Sequence, residues 1–213
     1  MQTRTNKMVA LAMFSAIAFI MAAFLRVPVV LFLRYDPKDV VMTIAGFIYG
    51  PMAAFAVAFV VSTIQMFTVS QTGVWGWVMN IIGSAAFCCT AAYIYKKNRT
   101  MMGAVIGLAA AFVVATVIMM LWNYFILPIY MPGVTRETVM PILFTAILPF
   151  NLISNGLNAA FTFILYKYVR KALQAANFLP KYSDEAKPAK INIGLIMVAA
   201  FIALTCILWI IVL

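Results

Sequence analysis

The sequence predicts an all-α integral membrane protein of six core helices in one bundle, followed by one additional C-terminal transmembrane helix. Three observations predict it. Hydrophobic residues fill 66% of the 213 positions and charged residues only 9%, where a soluble domain carries about 25% charged residues. Apolar runs long enough to cross a hydrocarbon core of about 30 Å, which takes about 20 helical residues, recur along the chain. The basic residues sit in short clusters between those runs, the distribution that the positive-inside rule produces. Apolar surface on this scale has to face lipid, and the runs leave almost no chain for a soluble domain, so a soluble enzyme is not expected. The net charge of +10 forms no continuous basic stripe with interleaved aromatics, so no nucleic-acid partner is expected.

The first span covers about 8–25, after Arg4 and Lys7. Its apolar run exceeds that of a usual signal peptide and no polar cleavage segment follows, so no cleaved leader is expected. A polar connection comes next, ending in Arg34-Tyr35-Asp36-Pro37-Lys38-Asp39. The apolar stretch 40–69 is too long for one untilted span. Gly50-Pro51 is a turn signal, and Pro51 suits the first turn of a new helix. The stretch therefore divides into a short helix over about 39–49, with Asp39 as its cap, and a full span over 51–68. Further spans are expected at 76–95, 103–127 and 142–168, separated by Lys96-Lys97-Asn98-Arg99 and by Pro128 to Pro141. Residues 1–172 then form the six-helix domain, 173–190 a basic polar linker, and 191–213 the extra helix. With seven helices and the N-terminus inside, four of the 15 Lys/Arg (Arg26, Arg34, Lys38, Arg136) fall outside and eleven inside. A single span over 40–69 with the N-terminus outside counts twelve to three, so charge alone leaves both open. The Gly-Pro break and the basic N-terminus favour the first.

The residue types exclude several chemistries. There is no histidine, and the five acidic residues all lie outside the apolar spans. Ion-coupled transport usually needs ionisable groups within the membrane, so the energy for any transport is expected to come from elsewhere. A ligand held among the helices is expected to be neutral there. Cys88, Cys89 and Cys206 have no metal-ligand spacing, and no metal or cofactor is expected. Uncharged polar residues do enter the spans: Asn80, Asn123 with Tyr124, and Asn151, Ser154, Asn155 and Asn158. An amide in hydrocarbon is costly unless its donors and acceptors are paired. Interhelical hydrogen bonding, worth about 1 kcal/mol, accounts for any one of them. Three helices that each place an asparagine toward one end point instead to a ligand site. Amides suit a ligand rich in hydroxyls and ring amides.

Trp75, Trp77, Trp122, Tyr124 and Tyr130 neighbour these positions in sequence. They could wall a flat heterocycle, although an interfacial belt explains each singly. The charged loop 34–39 reads equally as a solvated loop or as a lid over an outward-facing pocket. Small residues form two stripes, Ala12 and Ala16 on the first helix and Gly103, Gly107, Ala111 and Ala115 on the fifth. Such faces allow close helix approach, and for the fifth helix packing within the chain is favoured.

Three segments resemble a known family, the substrate-binding S components of energy-coupling factor (ECF) transporters, in the riboflavin-binding branch. Ala12-Met13-Phe14-Ser15-Ala16 is similar to the family's Ala-x-x-x-Ala motif. Tyr35-Asp36-Pro37-Lys38-Asp39, with the helix ending in Gly46-Phe47-Ile48-Tyr49-Gly50-Pro51, resembles its first loop and following turn. Asn123 to Tyr130 together with Leu148-Pro149-Phe150-Asn151 resembles the riboflavin binders most. The likeness covers about residues 7–170. It implies a six-helix S-component bundle in the cell membrane of a prokaryote, multi-pass with a cytoplasmic N-terminus. Riboflavin or a related flavin would be held near the outer face as transported ligand, not cofactor, with the first loop as lid. The implied partners are a membrane T component, pressed by Ala12 and Ala16, and two ABC ATPases that supply the energy. The substrate contacts it implies are Tyr35, Asp36, Asn80, Asn123, Tyr130, Asn151 and Ser154. Ser154 stands where relatives carry a longer polar side chain, and Pro37 replaces an aromatic. Another vitamin or precursor as ligand, a self-sufficient small transporter, and a ligand-free scaffold are the competing readings.

Overall fold

In the computed structural model, residues 4–30, 33–69, 73–130 and 135–176 are described. Glycine and proline punctuate the chain as their backbone chemistry requires. Gly50 adopts φ 95°, a conformation that costs glycine little. It closes helix α2 (Lys38–Tyr49) and opens α3 (Pro51–Thr68), with Pro51 in the first turn. The remaining helices are α1 (Arg4–Phe24), α4 (Gly73–Lys97), α5 (Met101–Tyr130), α6 (Arg136–Ile142) and α7 (Leu148–Ala175). A π-helical turn, Leu143–Ile147, joins α6 to α7. It follows Pro141, which has no backbone N–H to give to the helix.

Two corrections follow. The chain is not all-α: β1 (Val27–Val30) and β2 (Leu33–Tyr35) form an antiparallel hairpin between α1 and α2, pairing Val27 with Tyr35. The polar connection of 128–141 is also shorter than expected, because α5 runs through Pro128 to Tyr130 and α6 already begins at Arg136. Among the described residues, five helical stretches are long and apolar enough to cross a membrane. Helix α2, at 12 residues, spans only about 18 Å. The expected seventh helix at 191–213, and the linker beyond residue 176, lie outside the described residues.

Helix α2 is the centre of the bundle. Val40 through Phe47 are all buried, as befits a helix apolar on every side. Helices α1, α3, α4 and α7 pack around it. Close approach depends on small residues. A Cβ on Gly46 would meet the Ala92 and Ala54 methyls at 2.8 and 2.9 Å. A Cβ on Gly107 would meet the Ala91 carbonyl oxygen at 2.8 Å, and Ala111 and Ala115 on the same stripe are buried. That stripe joins α5 to α4 within the chain. Helix α1 behaves differently: Ala10, Phe14, Ala18 and Ala22 face the core, while Ala12 and Ala16 are exposed beside Met13, Ile17 and Ile20.

Candidate ligand site

At one end of the bundle the hairpin, the N-terminal turns of α2, α4 and α7 and the C-terminal half of α5 surround a cavity of about 290 Å³. That is near the lower end of small-molecule pockets, about 300–1,000 Å³. Tyr35, Asp36, Asn80, Asn123, Asn151 and Ser154, scattered over more than a hundred residues of sequence, all line it. Tyr130 ends α5, and its side chain lies outside the described residues.

The α7 contribution follows from helical spacing. Asn151, Ser154, Asn155 and Asn158 lie three, four and seven residues apart, so they share one face. All four are buried and line the cavity. Protein hydrogen bonds set which end of each amide is committed. Asn123 Nδ2 donates to the Met119 carbonyl at 2.8 Å, and Asn151 Nδ2 donates to the Ile147 carbonyl at 2.8 Å. Asn155 Nδ2 donates to Thr116 Oγ1 across the α5–α7 contact at 3.1 Å. The Ser154 hydroxyl is buried without a hydrogen-bond partner, an arrangement costly enough to call for one.

In the charged loop Arg34 is exposed, whereas Lys38 is buried and Asp36 and Asp39 are partly buried, and Asp39 does not cap α2. The N-cap position of α2 is Pro37, and no side chain caps it. The Asp39 carboxylate accepts from Ser84 Oγ at 2.6 Å and from Asn158 Nδ2 at 3.4 Å. Asn158 in turn accepts from the Tyr35 hydroxyl at 3.0 Å. Lys38 is buried as well; its ammonium donates to Asp36 at 3.1 Å and to Asn80 Oδ1 at 3.3 Å. Asp36 was the one charged residue expected at the site, and Lys38 and Asp39 join it there. The Lys38 ammonium and the Asp36 and Asp39 carboxylates stand in the cavity wall together with Arg34, which accords with the lid reading of the loop. The Lys38–Asp36 ion pair, and the Ser84 and Asn158 hydrogen bonds to Asp39, offset the desolvation that burial imposes.

The expected aromatic wall is also different. Trp77 turns away, its Nε1 donating to Thr63 on α3 at 3.1 Å and its ring edge-on to Phe59. Trp75 is 42% exposed. Tyr124 packs on the cluster of Leu127, Val139 and Leu143. Among the described residues, the aromatic side chains that line the cavity are Tyr35 and Phe150, beside the thioethers of Met79 and Met119. Sequence reasoning missed Lys38, Asp39 and Ser84 as cavity residues. The i, i+3, i+4, i+7 spacing on α7 was the available signal for Asn155 and Asn158; nothing comparable marked Ser84.

Residues 6–169 match the family described as the substrate-specific component of ECF transporters. The chain is 29% identical over 188 residues to the riboflavin transporter RibU of Staphylococcus aureus strain TCH60, covering 84% of this chain and 94% of that protein. It is 32% identical over 162 residues to the riboflavin transporter FmnP of Bacillus subtilis strain 168, covering 70% of this chain and 84% of that one. Its fold superposes on a solved S component of a bacterial ECF transporter with a TM-score of 0.67 at 30% identity, covering 81% of this chain and 99% of the other.

Proposed function

The chain belongs to the substrate-specific components of ECF transporters, and from that premise we propose that it captures riboflavin at the outer face of the cell membrane and delivers it inward. The observation that carries this reading is the cavity into which Asn80, Asn123, Asn151 and Ser154 converge beside Tyr35 and Phe150. Riboflavin joins a flat ring that bears carbonyls and an imide N–H to a chain of hydroxyls. Such a ligand needs aromatic and thioether surface for its faces and both donors and acceptors for its edges. Tyr35, Phe150, Met79 and Met119 supply the first and the asparagines the second. Lys38 is paired with Asp36, and Asp39 is hydrogen-bonded to Ser84 and Asn158, which keeps this part of the wall suited to a neutral ligand.

Entry and retention involve the hairpin. Tyr35 carries it onto α7 through Asn158, so hairpin closure and completion of the polar wall are one event. The Lys38–Asn80 and Asp39–Ser84 bonds tie the start of α2 to α4. Delivery needs energy that this chain does not generate. A membrane T component and two ABC ATPases provide it, with the T component seated on the outer face of α1 around Ala12 and Ala16. The small side chains there allow close backbone approach. The N-terminus and the basic clusters after α4 and α7 are cytoplasmic.

The test is direct. The chain, purified in mild detergent, is titrated with riboflavin while flavin fluorescence is followed. Stoichiometric quenching at submicromolar ligand supports the reading. Absence of quenching, with a monodisperse protein, refutes it.

A further inference from the structure

Lys38 is the residue of this cavity whose presence stability does not explain. Its side chain is 8% exposed, and burial of an ammonium is costly. It also stands in the first turn of α2, where the helix dipole disfavours a cation. An apolar pair of similar volume would serve packing as well as a buried ion pair does. The cavity is where the ammonium has something to do.

Its hydrogen bonds define what it offers. An ammonium carries three donors and no acceptor. Asp36 and Asn80 Oδ1 engage it at 3.1 and 3.3 Å, leaving donor capacity toward the cavity that Lys38 lines. The same bond commits the acceptor end of Asn80, so Asn80 offers its Nδ2 donors. Across the cavity the polarity reverses. Asn123 and Asn151 each commit a donor to their own helix and offer Oδ1. Lys38 and Asn80 therefore offer donors on the α2–α4 side, beside the acceptor-only carboxylates of Asp36 and Asp39, while Asn123 and Asn151 offer acceptors on the α5–α7 side.

We infer that Lys38 is a specificity-determining residue, donating with Asn80 to the carbonyl edge of the bound flavin ring while the ribityl hydroxyls face the amide oxygens of α5 and α7. The inference rests on the flavin reading given above. A hydroxyl both donates and accepts and can satisfy either wall, whereas a ring carbonyl only accepts and is satisfied only where donors are gathered. Asp36 pairs with the ammonium and Asp39 stands beside it, so the corner carries no excess positive charge and selects a neutral acceptor rather than an anion.

The experiment compares full-length wild type and Lys38→Met in detergent, with riboflavin and with lumiflavin, which has the same ring but a methyl in place of the ribityl chain. Affinities come from fluorescence titration and the bound ring's carbonyl stretches from vibrational spectroscopy. Lys38→Met is expected to weaken both ligands by a similar factor, about ten- to hundredfold for one charged hydrogen bond. It is also expected to move the bound carbonyl stretch to higher frequency. Asn123→Ala is expected to weaken riboflavin more than lumiflavin. Wild-type affinity in Lys38→Met overturns the inference and leaves the flavin reading standing. So does a loss of affinity with an unmoved carbonyl band, which marks a purely structural lysine. A wild type that binds neither flavin overturns both. If Lys38→Met does not fold because Asp36 is left unpaired, Asp36→Asn with Lys38→Met removes both charges and is judged by the same two readouts.

Discussion

Replacing Asn123 and Asn151 together by alanine removes two amides from the cavity wall while leaving the helices that carry them intact. Among the described residues, each side chain donates to the backbone carbonyl four residues earlier, Met119 or Ile147, at 2.8 Å. Those carbonyls lie in the α-helical ladder, so they are not orphaned by the change. Alanine is also the better helix former. Polar contacts between membrane helices average well under about 1 kcal/mol in cycle measurements, so the fold should lose no more than about that. Binding loses more. A neutral hydrogen bond contributes about 0.5–1.5 kcal/mol. Two together give about 1–3 kcal/mol, or about five- to 150-fold in affinity. The assay is riboflavin titration by fluorescence quenching on wild type and double variant, with size exclusion and a thermal melt as controls. A variant that binds as tightly as a riboflavin-binding wild type would falsify the assignment of these amides to the ligand. A variant that loses binding and unfolds would point instead to a structural role.

Three further outcomes are expected. Tyr35→Phe removes the 3.0 Å bond that fastens the hairpin to Asn158; at about 1 kcal/mol it should speed riboflavin release roughly fivefold in stopped-flow chase. An unchanged off-rate would separate hairpin closure from retention. Ala16→Trp, or Ala12→Trp, on the exposed face of α1 should leave riboflavin affinity unaltered and abolish copurification of the T component. Wild-type recovery of the T component with either variant would remove that face from the interface. Gly46→Leu drives a side chain into Ala92 and Ala54, which already stand 2.8 and 2.9 Å from a Cβ. Overpacking of that kind costs about 1–3 kcal/mol or more, read as a lowered melting temperature, and an unchanged melt would mean that α2 can shift.

Local signals were legible where local physics decides the outcome. Gly50-Pro51 divided a 30-residue apolar stretch at the right place because a positive φ and a missing N–H act on their own residues. The full span after it runs Pro51–Thr68, as expected. The hairpin at 27–35 was not legible. Its strands are three and four residues long and rest on pairing with each other. Asp39 shows the opposite failure: beside a helix start, its local reading is a cap. Ser84, 45 residues away, and Asn158, 119 residues away, claim its carboxylate instead. The tryptophans failed for a related reason. Position along a helix tells how near an aromatic is to the membrane edge, but rotation about the helix axis decides whether it faces cavity, neighbour or lipid.

What the sequence alone determined is the solvent and the inventory. Its hydropathy demands a membrane, because so much apolar surface has no other favourable place, and its polar residues within the spans name the side chains a neutral ligand could meet. Tertiary structure decided which of them meet each other. It gathered asparagines from α4, α5 and α7 at one cavity and turned most of the expected aromatics away from it. It also drew Lys38, Asp36 and Asp39 out of water into the wall. The reason is physical. Helix and turn propensities act over a few residues, whereas a buried charge is tolerable only beside partners that the fold brings from elsewhere in the chain.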